Sequence, residues 1–240
     1  AMYLLGKQLT KKSSFAFAAA LMLALDCQHF TQTRIATIDS YPVLFILFSW
    51  LFMLRFMQRD IVRLPVKKLL PDLALSGLFM GLGIASKWIG VYSGAGLAVA
   101  FFWTIFRHMR MAATSAHLLK TDKSLSDEDR KILTLRDQTT MKRVLVICLW
   151  CLLFFVAIPL AIYLLAYIPY FAYAHFDNLK DYLTAVWNAQ LSMFSYHSKP
   201  GLGMDHPFYS PWYEWIFNQR PMYYASPTYV NTPGWSYAIW

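Results

Sequence analysis

Residues 73–106 carry a single charge, Lys87. As one straight helix this run would be about 51 Å long, well beyond a hydrocarbon core of about 30 Å. It suffices for two short helices that turn near Ser86-Lys87-Trp88. Lys67 and Lys68 precede the run, and Arg107 and Arg110 follow it. Basic flanks at both ends put those ends on one face and Lys87 near the opposite one. A chain with such a hairpin is built for a bilayer.

The rest of the sequence agrees. It is 58% hydrophobic and only 15% charged, with a mean hydropathy of +0.38, where a soluble domain would have about 25% charged residues. The expected fold is an all-α polytopic membrane protein. Spans are expected near 13–27, 42–58, 72–87, 89–106 and 144–169, within a transmembrane region covering 1–170. Pro42 sits near the first turn of its span, where proline is tolerated, and Pro159 is expected to kink the last one. Residues 28–40 read as a polar link and 107–143 as a polar loop. Within that loop 122–137 resembles a surface helix, with Ser126 as N-cap before Asp127-Glu128-Asp129.

Charge then orients the chain. Of the 22 Lys and Arg residues, 17 fall before the first span, between Arg55 and Lys68, or between Arg107 and Arg143. Those segments are predicted to be cytoplasmic. The 28–41 segment, the Lys87 turn and residues 171–240 then share the non-cytoplasmic face. The net charge of +9 is accounted for by this distribution, and no nucleic-acid partner is expected. Lys7, Lys11 and Lys12 precede an apolar run, but the run continues into Asp26 and His29 without a small-residue cleavage pattern. The sequence therefore reads as a piece of a larger protein.

Residues 171–240 contain 19 of the 42 aromatic residues and 6 of the 11 prolines. Prolines at this density leave backbone groups unpaired, which lipid does not tolerate. The segment reads as a non-cytoplasmic loop region forming a shaped wall at the membrane edge. Residues 177–196 suit an amphipathic interfacial helix, with Leu179, Leu183, Val186, Trp187, Gln190 and Phe194 near one face.

Several residues could carry chemistry. Arg34 is either a phosphate clamp, since a guanidinium fork matches phosphate oxygens, or the partner of Asp26 or Asp39. Lys87, a lone cation between apolar helices, is a functional-site candidate or a snorkelling side chain. His197 and His206 lack a third ligand at a familiar interval. They read as hydrogen-bond donors to a sugar, a phosphate or the loop itself, and no metal site is expected. Asp205 and Glu214 form a conceivable acid pair, with loop anchoring the simpler role for Glu214. Arg220 either faces an anionic headgroup or makes an ordinary surface pair. Cys148 and Cys151 form a C-x-x-C inside an apolar run, where they read as small hydrophobes.

Three motifs resemble one family. Thr31-Gln32-Thr33-Arg34-Ile35-Ala36-Thr37-Ile38-Asp39 is similar to the T/V-Q-S/T-R-I-A-x-L-D motif of the protein O-mannosyltransferases. Gly83-Ile84-Ala85-Ser86-Lys87-Trp88-Ile89-Gly90 resembles their G-x-A-x-x-S-K-W-x-G segment. Tyr196-His197-Ser198, then His206 to Trp212, Trp215 and Arg220-Pro221, resemble the later loop of the bacterial members.

The resemblance implies a C-type glycosyltransferase fold and an inverting enzyme. Such an enzyme moves mannose from polyprenyl-phosphate mannose to Ser or Thr of secreted proteins, at the non-cytoplasmic face. It implies no cofactor beyond the lipid-linked donor, and a bacterial plasma membrane in preference to the endoplasmic reticulum. Arg34, Lys87 and Arg220 would hold the donor phosphate. Asp39, Trp88, His197, His206, Ser210, Trp212 and Trp215 would shape the sugar and acceptor site. The family's catalytic Asp-Glu pair, in its first external loop, has no counterpart in residues 1–12, which contain no acid. The alternatives are a related transferase of another sugar or onto a lipid acceptor, and a transporter with a substrate site in a broken helix.

Overall fold

The computed structural model describes residues 1–34, 37–172, 174, 176, 178–201, 211, 213–214 and 219. All regular elements among them are helical. They are α1 (Met2–Thr10), α2 (Ser13–Leu25), α3 (Cys27–Arg34), α4 (Ser40–Met57), α5 (Val66–Ser86), α6 (Gly90–Thr121) and α7 (Asp127–Leu152). A π-helical turn (Leu153–Ala157) leads from α7 to α8 (Ile158–Leu165), followed by α9 (Tyr167–Tyr170) and α10 (Leu179–His197). Among the described residues, three stretches are long and apolar enough to cross a bilayer: Ser40–Met57, Val66–Ser86 and Asp127–Tyr170. Ser13–Leu25 is a shorter apolar helix. The chain is an all-helical polytopic membrane protein.

Two compact units share it. One comprises Ala1–Leu23 and Ile38–Ala166, the other Ala24–Thr37 and Tyr167–Trp240. In the first, α4 and α5 pack through a row of rings. Phe45, Phe48 and Phe52 stack on Phe79 at centroid distances of 6.3, 5.0 and 5.8 Å. They lie three and four residues apart, so α4 presents them on one face. Ser76 donates to the Ser49 carbonyl at 2.9 Å, which satisfies a buried hydroxyl between the two helices. Met53, Phe56, Ile61, Leu69, Leu73, Leu97 and Ile147 form the fully buried centre. By contrast Leu145, Leu149, Leu152, Val156 and Leu160 are exposed along one stripe of α7 and α8. In a membrane such a stripe faces acyl chains.

Two segments differ from the sequence reading. Residues 27–34 form a helix where a polar link was expected, and the Asp26 carboxylate accepts the His29 amide at 2.6 Å at its start. Residues 107–143 are a loop only at 122–126, because α6 and α7 both run on past the apolar part. Ser126 does cap α7, its hydroxyl accepting the Asp129 amide at 3.1 Å. α10 begins similarly, with Asn178 accepting from the Asp181 amide at 3.0 Å. The basic residues of this end also do more than mark it. Arg143 donates to the carbonyls of Ile61 and Leu64 at 2.9 and 2.6 Å, and Arg107 to that of Met57 at 2.7 Å. Arg55 and Arg59 both pair with Asp72, which is almost fully buried. The short turn between α4 and α5 is thus held by charged side chains from four helices, including Arg136 on Asp60 at 2.9 Å.

The helix changes its winding just before Pro159. The preceding turn widens to π-helix, with the Ile158 amide bonding Leu153 five residues back. Cys148 and Cys151 are free thiols that line an apolar groove of about 550 Å³ beside Met53, Met80 and Phe101.

Candidate functional site

α5 ends at Ser86. Lys87 turns to extended backbone (φ −160°), and its amide still bonds the Gly83 carbonyl at 3.0 Å. The chain then reverses within three residues, as the Gly90 amide reaches the Lys87 carbonyl at 3.0 Å. Gly90 permits this closure. A Cβ there would lie 2.7 Å from the backbone of Gly83 and Ile84, too close for any side chain. The hairpin predicted from charge spacing is therefore formed, with Lys87 and Trp88 at its apex and both exposed.

Asp39 stands at the start of α4 without capping it by its side chain. Its carboxylate instead pairs with the Lys87 ammonium. The two side chains remain 35% and 48% exposed, so the pair is open to an incoming ligand. Beside it the Trp88 indole N–H donates to the Tyr163 hydroxyl of α8 at 2.8 Å. This fixes the indole against the bundle end. Asp39, Lys87, Trp88 and Tyr163 thus form one cluster, drawn from the beginning of α4, the α5–α6 turn and α8. It offers a cation balanced by a partly exposed carboxylate, next to an oriented aromatic face. That combination suits an anionic group joined to a sugar.

A dolichyl-phosphate-mannose-protein mannosyltransferase family model matches residues 1–179. The chain belongs to this family. No curated protein and no solved structure matches it. The mannosyltransferase match spans Arg34, Asp39, Lys87, Trp88 and Tyr163, and so covers the whole cluster. It makes the chain a membrane glycosyltransferase in general terms.

Within this mannosyltransferase the remaining candidates are placed as follows. Arg34 ends α3 in the second unit, exposed, with its guanidinium 4.2 Å from the Phe30 ring centroid. It makes no ion pair among the described residues. Within the same unit, the Asp26 carboxylate accepts the His29 amide at 2.6 Å. Lys87 has a defined partner in the Asp39 carboxylate. His197 is the exposed last residue of α10, edge-on to Tyr196 at 5.2 Å. His206, Ser210, Trp212, Trp215, Arg220 and Asp205 lie outside the described residues. The late aromatic stretch also lies beyond the family match. Tyr163 is the residue that sequence reasoning missed. A lone tyrosine in the run Ala161-Ile162-Tyr163-Leu164-Leu165 reads as a core aromatic, and nothing local points to Trp88 75 positions away.

Proposed function

We propose that this chain transfers mannose from polyprenyl-phosphate mannose to Ser or Thr hydroxyls of secreted proteins, with inversion, at the non-cytoplasmic face. The observation that supports this reading best is the Asp39–Lys87–Trp88–Tyr163 cluster, formed within the family-matched residues at the bundle end opposite the basic turns. Lys87 binds the donor phosphate, and Asp39 holds the ammonium in place until the phosphate replaces it as partner. Arg34 and Arg220 supply further cationic donors. The leaving phosphate gains charge as the C1–O bond breaks, and preorganised cations stabilise that charge. Trp88, fixed by Tyr163, gives the sugar a flat apolar face, while His197, His206, Ser210, Trp212 and Trp215 shape the acceptor side. The attacking hydroxyl needs a general base. By resemblance that base is the family's Asp-Glu pair, and none of the acids discussed above is assigned its role.

The test uses the intact enzyme, labelled polyprenyl-phosphate mannose and a Ser/Thr-rich peptide. Arg34→Ala and Lys87→Ala should each lower transfer at least tenfold, about 1.4 kcal/mol of transition-state stabilisation. Near-normal turnover in both variants would remove the phosphate role. Transfer from another lipid-linked sugar but not from the mannose donor would favour a sister transferase.

A further inference from the structure

At the basic end of the first unit, the surface of α6 passes from exposed aromatic to charged within two turns. Trp103 and Phe106 are exposed, with ring centroids 6.0 Å apart. One turn further on, the Arg110 guanidinium lies 5.9 Å from the Phe106 centroid. From Trp103 to Arg110 the helix rises about 10 Å, a distance that in a bilayer separates acyl-chain level from headgroup level. A groove of about 450 Å³ opens between this face and α7. Its lining includes the apolar Met111, Leu118 and Leu133 together with Arg107, Arg110 and Arg136. None of the described residues lining it is acidic. Arg136 is neutralised by Asp60. Arg107 spends one nitrogen on the Met57 carbonyl, and neither it nor Arg110 has a carboxylate partner among the described residues.

We infer that this groove binds one anionic phospholipid from the leaflet at the basic end of the bundle. Its phosphate lies between Arg107 and Arg110, and its glycerol and upper acyl carbons lie over Trp103, Phe106 and Met111. The charge argues for the anion. A guanidinium pair with no carboxylate is complementary to a phosphodiester. The aromatic approach argues that the anion arrives on a lipid, since Trp and Phe at this level pack against acyl carbons. The site is independent of the proposed sugar transfer.

The test uses the full chain in nanodiscs of mixed phosphatidylglycerol and phosphatidylcholine, released into native mass spectrometry. At equal mole fraction, one phosphatidylglycerol should be retained over phosphatidylcholine by about tenfold or more, since each arginine contributes appreciably near a headgroup. R110Q should reduce that preference at least threefold, and R107Q/R110Q should abolish it. K120Q/K123Q removes as much charge from the same end and should leave it unchanged. R107Q also frees the Met57 carbonyl, so R110Q alone decides the outcome if the double variant does not fold. Equal retention of the two lipids would overturn the inference. So would an equal loss in K120Q/K123Q, which would indicate diffuse attraction. Displacement by soluble glycerol phosphate at the lipid's own concentration would show a phosphate site without a lipid one, and would overturn it too.

Discussion

Gly77 of α5 faces the main-chain carbonyl of Phe154 so closely that a Cβ on the glycine would sit 2.1 Å from that oxygen. Four residues on, a Cβ on Gly81 would meet the Cα of Pro159 at 2.8 Å. The two glycines form a small-x-x-x-small face on α5, the kind that lets membrane helices approach backbone to backbone. The surface they meet is the π-helical turn and the proline that follows it. Pro159 has no N–H, so it removes a donor from this turn. The widened turn and the glycine face fit together as one packing device.

Substituting these glycines should therefore be costly. Gly77→Ala and Gly81→Ala force backbone apart, and each should reach or exceed the upper end of the ~1–3 kcal/mol typical of overpacking. Gly83→Ala makes only an ordinary contact, 3.6 Å to the Phe45 Cβ, and should be nearly neutral. Thermal unfolding in detergent compares the three. Equal melting temperatures for Gly77→Ala and Gly83→Ala would refute the close approach.

The Asp39–Lys87 pair should matter for activity far more than for stability. Exposed ion pairs contribute about 0–1 kcal/mol, so Asp39→Asn should barely move the melting temperature. In the transfer assay it should still reduce turnover, because Lys87 loses the group that holds it in place. A variant that melts early and is inactive only in proportion to its unfolded fraction would mark the pair as structural.

Trp88 and Tyr163 should be energetically coupled. Trp88→Phe and Tyr163→Phe each break the same hydrogen bond, worth about 0.5–1.5 kcal/mol net. The double variant should cost little more than either single one. Strict additivity in this cycle would mean that the indole is held by something else.

Acid should destabilise the basic end. Burial pushes the His108 imidazole below its ordinary value, only partly offset by the nearby Asp60 charge. Burial alone would raise the Asp60 carboxyl. The amides of Val62 and Arg63 and the charges of Arg136 and His108 outweigh it and hold the carboxyl low. Both folded values are depressed, so both groups favour the folded state at higher pH. Their contributions fade as pH falls, first below about 6.5 for the histidine and then below about 4 for the aspartate. Melting temperature measured from pH 7.5 to 5 should decline, and His108→Gln should flatten the decline. An unchanged slope in that variant would assign the effect elsewhere.

Much of the fold can be read from where charge is absent. A long run with one lysine, basic at both flanks, requires a hairpin with that lysine at its apex, because lipid excludes charge and a helix has a fixed rise. Ser126 before three acids defines a helix start for equally local reasons. The sequence also marks Arg34, Lys87 and Trp88 as unusual, since polar groups beside apolar spans need a purpose. It cannot say what they touch. Asp39 could have met Arg34 as well as Lys87, and Tyr163 carries no local sign that it will anchor Trp88. The arginines at the basic end show the same limit. Charge patterning makes them solvated markers of a membrane face, whereas packing turns Arg107 and Arg143 inward onto carbonyls that the short α4–α5 turn leaves unpaired. Periodicity and charge determine which segments enter lipid, because those are properties of a segment by itself. Which carboxylate, hydroxyl or carbonyl each cation finds is decided only when distant helices dock, because it depends on the small-residue faces that set how close they come.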